Sequence, residues 1–240
     1  MEKKTIGILG GMGPLATVDL FEKITLHTRA QTDQQHLHVI IDSNTGIPDR
    51  TAALLHGGAD PLPEMIKSAR RLVAAGADVL IIPCNTTHCY YDSLQSAVDI
   101  PVLHMIALTR DALCARGVRR AALLATDGTL SAGIYQRIFA GSGIDLVIPG
   151  GDDQAAVMDL IYNGIKAGDM TFPIDRFRLC AQSLLNRGAE TLILGCTELP
   201  LAFSLYRLDY PATDPTLELA LGAIRFAGGE VSLDPSLFRR

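Results

Sequence analysis

The sequence predicts an α/β protein of two similar Rossmann-like lobes with parallel sheets, related by a pseudo-two-fold axis and facing one another across a cleft. Three observations carry this prediction. Strand-like and helix-like segments alternate along the whole 240-residue chain, the pattern of parallel sheets covered by helices. Residues 79–82 are apolar throughout, which marks a strand buried on both faces. An internal echo links the halves: Ala75-Gly76-Ala77-Asp78 and the strand ending at Cys84-Asn85-Thr86 resemble Arg187-Gly188-Ala189-Glu190 and the strand ending at Cys196-Thr197-Glu198, at a constant offset of 112 residues. An offset near half the chain indicates two lobes, not a solenoid of short repeats.

The elements follow in order. Residues 5–9 read as a short apolar strand closing in Gly10-Gly11-Met12-Gly13. Pro14 opens a helix to about residue 30, at a position where its missing N–H costs nothing. A strand at 39–42 leads into a polar loop from Ser43 to Arg50. A helix at 61–75 is closed by Gly76, and strand 79–82 follows. Then come a helix at 91–98, a strand at 102–105, a helix at 106–116 and a strand at 121–124. The turn 125–129 opens a helix at 131–140, and 145–148 is a strand. Helices at 152–166 and 174–186 precede the buried strand 191–194. A short strand at 211–213 and a helix from 214 to about 226 close the chain. The last strand and helix are both assigned back to the first lobe. That lobe is then discontinuous, residues 1–101 plus 210–240, and the second spans 102–209.

Composition narrows the function. Hydrophobic residues make up 48% and charged residues 20%, with a net charge of −5. No basic stripe interleaves with aromatics, which argues against nucleic acid as a partner. No apolar run reaches the roughly 18–20 residues that span a bilayer. The first residues run straight into a strand with no leader pattern, so a cytoplasmic location without membrane attachment is expected. The five cysteines include no CxxC pair, and free thiols are expected. Cys89, Cys114 and Cys180 read as packing residues. The six histidines show no metal spacing, and no metal is expected.

Cys84 and Cys196 differ from the other three because each ends a buried parallel strand, where α/β sheets bind ligands. Two facing lobes would place the thiols on either side of one cleft. Such a pair suits removing a proton from one face of a carbon and returning it to the other. One thiolate takes the α-proton, the opposite thiol delivers one, and the roles exchange in reverse. Thiols do this only with tuned pKa values. Asn85, Thr86, Thr87 and Thr197 supply donors beside them.

The segments Ile82-Pro83-Cys84-Asn85-Thr86-Thr87-His88 and Leu194-Gly195-Cys196-Thr197-Glu198-Leu199-Pro200 resemble the two cysteine motifs of the aspartate/glutamate racemase family. The opening Gly7-Ile8-Leu9-Gly10-Gly11-Met12-Gly13-Pro14 is similar to the start of its aspartate racemase branch. The resemblance covers nearly the whole chain in order. It implies racemisation without pyridoxal phosphate or another cofactor, catalysis by Cys84 and Cys196, an acidic amino-acid substrate and a homodimer. Glutamate racemases carry Asp-Ser-Gly after the first strand and a histidine after the second Cys-Thr. Gly10-Gly11-Met12-Gly13 and Glu198 depart from both patterns and favour the aspartate branch, with glutamate the runner-up. In that branch Pro48-Asp49-Arg50-Thr51 and Lys166 match the segments that engage substrate carboxylate. A second carboxylate needs a fixed cation, and arginine binds one bidentately.

Plainer readings stand beside these. Arg50 could be a surface cation, and Lys166 could be a helix C-terminal cation favoured by the dipole. Thr126 and Thr129 could cap a helix or bind the substrate carboxylate. Glu198 has three open roles: first-turn helix acid, partner of Cys196 or partner of the substrate ammonium. His88 either tunes Cys84 or lies on a helix face. Gly11-Met12-Gly13-Pro14-Leu15-Ala16 fits a dinucleotide fingerprint, but the ribose-binding acid is missing at its usual distance. Met12 and Gly13 are read instead as presenting the turn to a substrate carboxylate. Two alternatives remain for the whole chain. One is a sister isomerase, decarboxylase or hydantoin racemase on the same scaffold, for which Arg50 would be wasted. The other is a two-lobed amino-acid-binding protein, which has no use for paired thiols.

Overall fold

A computed structural model describes residues 3–233. Positions 1–2 and 234–240 of the first lobe assigned above lie outside the described residues. The first sheet holds β1 (Ile6–Gly10), β2 (Val39–Ser43) and β3 (Val79–Ile81), in the order β2-β1-β3 and all parallel. The second holds β4 (Arg120–Leu124), β5 (Asp145–Val147), β6 (Thr191–Leu194) and β7 (Ala212–Thr213), in the parallel order β5-β4-β6-β7. The orders 2-1-3 and 5-4-6 are equivalent, so the internal echo is a repeated topology.

The helices are α1 (Pro14–His27), α2 (Arg50–Leu55), α3 (Leu62–Ala74), α4 (Tyr91–Gln95), α5 (Met105–Ala115) and α6 (Asp127–Ser131), followed by α7 (Ile134–Phe139), α8 (Gly151–Asp159), α9 (Asp175–Asn186), α10 (Glu198–Leu205) and α11 (Pro215–Phe226). Strand alternation splits the first core in two. Ile6, Ile8, Val79 and Ile81 pack against α1 and α11, while Leu9, Leu80 and Ile82 face α3. The second sheet repeats this. Ala122, Leu124, Leu192 and Leu194 face α8 and α9, and Ala121, Leu123 and Ile193 face α5 and α7.

Several expectations are corrected. The last strand does not return to the first lobe: β7 pairs with β6, Ile193 opposite Thr213. Only α11 crosses back, packing on α1 and α5. The crossing is pinned by charge, since Lys23 of α1 lies 2.5 Å from Asp19 and 2.6 Å from Asp214, which caps α11 through the Thr216 N–H. The strand at 102–105 shrinks to one bridge, Val102 to Leu80. The His104 ring accepts from the Ala107 N–H and starts α5 at Met105. The helix at 131–140 is two pieces broken at Gly133, where φ is +62°. The helix at 152–166 turns into a π-helix over Leu160–Lys166. Helices α2 and α10 were not expected: six and eight residues are too few to show a clear period.

Lys23→Ala leaves two carboxylates facing each other at a largely buried site. A stability loss of about 2 kcal/mol follows, smaller than for a fully buried pair because solvent still reaches the groups. By scanning calorimetry this is a fall of roughly 4–8 °C in Tm. An unchanged Tm would show that the trio does not hold the crossing together.

Candidate active site

Strand ends and the turns after them build the site. Within each sheet the chain leaves the central strand on both sides, β1 toward β2 and β3, and β4 toward β5 and β6. The carboxyl ends of β1–β3 and β4–β6 therefore border a switch-point crevice in each lobe. After β1 the backbone turns through Gly11 at φ +90°. A Cβ there would lie 2.4 Å from the Asn44 carbonyl carbon, so glycine alone allows this approach to the loop after β2. That turn presents Met12. The end of β3 presents Cys84, Asn85 and Thr86, the end of β4 presents Thr126, and the end of β6 presents Cys196, Thr197 and Glu198.

These residues wall one pocket between the lobes, together with Asp49, Arg50, Thr51, Tyr162 and Lys166. Its volume is about 20 Å³, room for about one water molecule. A second cavity of about 490 Å³ adjoins it and shares Met12, Asp49, Arg50, Lys166 and Glu198 as a wall. Its remaining lining includes Leu15, Ile47, Ile165 and Leu201.

On the Cys196 side, charge and hydrogen bonding form a chain. The Cys196 thiol donates to Glu198 Oε2 at 2.9 Å, and Glu198 Oε1 lies 3.1 Å from Lys166 Nζ. Glu198 is only 4% exposed. Burial and then the Glu198 carboxylate push the Cys196 thiol well above its ordinary pKa, with Lys166 opposing. Burial works against the Lys166 charge, but Glu198 and the two cysteine sulfurs hold its pKa above the usual value. Lys166 also stands 5.5 Å from the Tyr162 ring, one π-helical turn away.

On the Cys84 side, Arg50 is buried at the first turn of α2, which Asp49 caps through the Ala52 N–H at 2.8 Å. The Arg50 guanidinium donates to the carbonyls of Pro48 (2.9 Å) and Met12 (3.2 Å). Burial opposes its charge, and the neighbouring Cys84 and Asp49 more than restore it. Asn85 is 2% exposed, and its Oδ1 accepts from the Tyr135 hydroxyl at 2.6 Å. Two buried donors here have no partner, Arg50 Nε and Asn85 Nδ2. Thr86, Thr126 and Thr129 form a hydroxyl cluster across the lobes, with Thr86 Oγ1 2.7 Å from Thr129 Oγ1 and 3.3 Å from Thr126 Oγ1.

Ten of the residues singled out from the sequence line this pocket: Met12, Arg50, Cys84, Asn85, Thr86, Thr126, Lys166, Cys196, Thr197 and Glu198. Three do not. Gly13 lines the adjoining cavity, Thr87 turns its hydroxyl to Met12 Sδ, and Thr129 stands behind Thr86. Thr126 also caps α6 by accepting from the Thr129 N–H. Asp49, Thr51 and Tyr162 were missed. The first two flank Arg50, and Tyr162 sits four residues before Lys166, the signal that could have found it. His88 does not line the pocket, and burial holds it down to about 3, so it is neutral beside Cys84. Among the described residues no group of three His, Cys, Asp or Glu side chains is placed to hold a metal ion, and no helix is long and apolar enough to cross a membrane.

Known proteins share this architecture. The chain is 31% identical to a Picrophilus torridus aspartate racemase of known structure, covering 99% of this chain and all of that one, with a TM-score of 0.83. An aspartate racemase homologue from Pyrococcus horikoshii OT3 is 26% identical over 94% of this chain and 99% of its own, with a TM-score of 0.74. A broad specificity amino-acid racemase of Bacillus subtilis (strain 168) is 28% identical over 91% of this chain and 96% of its own. The sequence profile described as Asp/Glu/hydantoin racemase matches residues 9–220. With that match spanning most of the chain, the protein belongs to the Asp/Glu/hydantoin racemase family of isomerases.

Proposed function

We propose that the protein interconverts L- and D-aspartate, with glutamate as a second acidic substrate, by a two-thiol mechanism that uses no pyridoxal phosphate. The carrying observation is the pair of unpartnered buried donors, Arg50 Nε and Asn85 Nδ2, in a pocket bordered by both cysteines. An unmet buried donor costs roughly 1–3 kcal/mol, and a substrate carboxylate satisfies both.

The chemistry balances without an outside reactant. A thiolate on one side takes the α-proton and becomes a thiol. The electron pair spreads onto the carboxylate, where Arg50 and Asn85 stabilise it. The opposite thiol returns a proton to the other face and becomes a thiolate. Burial and Glu198 hold the proton on Cys196, which suits it to act as the acid. Glu198 aims the S–H, and Lys166 offsets the charge that builds when Cys196 gives up its proton. Amino acids are larger than the one-water pocket, so entry requires Arg50 and the Lys166–Glu198 pair to part toward the larger cavity. The Picrophilus torridus neighbour supports aspartate. The apolar lining of that cavity supports a second reading, a racemase that also takes larger side chains, in line with the Bacillus subtilis relative.

A homodimer is part of this proposal. Leu15, Val18 and Phe21 of α1 are 52%, 61% and 41% exposed, an apolar face that suits a second copy. Sedimentation of the purified chain at twice its monomer mass is expected. The five free cysteines suit a reducing, cytoplasmic compartment.

Incubated with L-aspartate in D₂O without pyridoxal phosphate, the protein is expected to form D-aspartate carrying deuterium at Cα. Cys84→Ala and Cys196→Ala should each lower racemisation at least about 100-fold. Each should still exchange the α-proton of one enantiomer, and the two variants should select opposite ones. Near-normal racemisation by either variant would end the two-thiol assignment.

Glu198→Gln removes the negative charge that raises the Cys196 pKa. The thiolate then forms at lower pH, and the midpoint for iodoacetamide alkylation of Cys196 should shift downward. A midpoint that stays in place would separate Glu198 from the thiol.

A further inference from the structure

We propose that His88 is a positioning residue for Cys84: its neutral ring ties the Cys84 carbonyl to the start of α5 and so orients the peptide that carries the thiol. The proposal rests on the reading of Cys84 as one of the two proton carriers.

His88 lies on the 3₁₀ turn Thr86–Tyr90 that follows the cysteine and is 3% exposed. Its Nδ1 is 2.9 Å from the Cys84 carbonyl oxygen, and its Nε2 is 3.1 Å from the Met105 backbone nitrogen. These partners fix the tautomer. A backbone N–H only donates, so Nε2 is the bare acceptor; a carbonyl only accepts, so Nδ1 carries the hydrogen. Protonation would cost the Met105 bond. Burial first, then the His104 ring at 4.8 Å, keep the imidazole neutral. The Tyr91 ring lies nearly parallel to that of His88 at 6.4 Å and packs on His104 at 4.5 Å.

The Cys84 end of this strut sets the direction of the peptide, and the Met105 end fixes the tautomer. Met105 opens α5, whose residues enter the cores of both lobes, Met105 in the first and Ile106 and Leu113 in the second. The turn carrying Cys84 is thus referenced to the helix on which the lobes join. In a trans peptide the N–H points opposite the C=O. His88 holds the Cys84 carbonyl and does not line the pocket, whereas Cys84 and Asn85 do, so the Asn85 N–H is held on the opposite side of the peptide from His88. That N–H becomes a fixed donor for the thiolate or the substrate carboxylate. A histidine that only filled space would impose no such direction.

Asparagine and glutamine separate the two bonds. His88→Asn puts an amide donor near the place of Nδ1 and keeps the bond to Cys84. His88→Gln reaches toward Met105 and loses that bond, and His88→Leu loses both. The readouts are peptide-resolved iodoacetamide alkylation of Cys84 and Cys196 at fixed pH, and kcat and KM in each direction. His88→Gln and His88→Leu should slow Cys84 alkylation about tenfold and leave Cys196 within twofold. They should lower kcat by a similar factor with KM nearly unchanged, and His88→Asn should recover most of both. Two results overturn the proposal: both cysteines slowing together, or Asn and Gln behaving alike. If leucine does not fold, the Asn/Gln pair still decides. The alkylation arm needs no turnover, so failure of the racemase reading, seen as wild-type protein without Cα exchange, is distinguishable from failure of this one.

Discussion

Parallel strands buried on both faces can show chemistry only at their ends, and that constraint sets the rest of this molecule. β1, β3, β4 and β6 spend their side chains on two core layers each. Functional groups are left to the turns beyond the carboxyl ends. Two lobes of equivalent strand order then present two equivalent turns to each other, and one thiol comes from each. The same repeat that makes the fold economical makes a two-sided site.

Bringing the lobes together concentrates polar groups where water is scarce. A thiol, a carboxylate and an ammonium lie in sequence at Cys196, Glu198 and Lys166. Such a chain is stable only while each charge has a partner. The Cys84 side is built differently. Its cation, Arg50, is held by carbonyls and keeps one N–H unspent. The two thiols are therefore equivalent in topology but set among different charged partners, Glu198 and Lys166 on one side and Arg50 on the other.

Much of this was legible in order and period. The α/β class followed from alternation, and the paired strand-end cysteines followed from one offset repeat. Arg50 and Lys166 stood out through the resemblance to the aspartate racemase branch, which Pro48-Asp49-Arg50-Thr51 and the position of Lys166 match. Tyr162 was missed because it looks like an ordinary aromatic on a helix, although its four-residue spacing puts it on the same face as Lys166. β7 was misplaced because a two-residue strand carries no pattern that names its neighbour.

By itself the sequence determined the α/β alternation, that the chain turns in Gly10-Gly11-Met12-Gly13 after the first strand, and that two thiols recur in register. Those are local facts, set by burial period and backbone sterics. Tertiary structure alone decided that Glu198 accepts from the Cys196 thiol and pairs with Lys166, that Asn85 gives its Oδ1 to Tyr135 and leaves Nδ2 without a partner among the described residues, and that His88 stays neutral between the Cys84 carbonyl and Met105. Each depends on a group distant in the chain, Lys166, Tyr135 or Met105, meeting the others where burial sets charge and tautomer, and no short stretch of sequence encodes that.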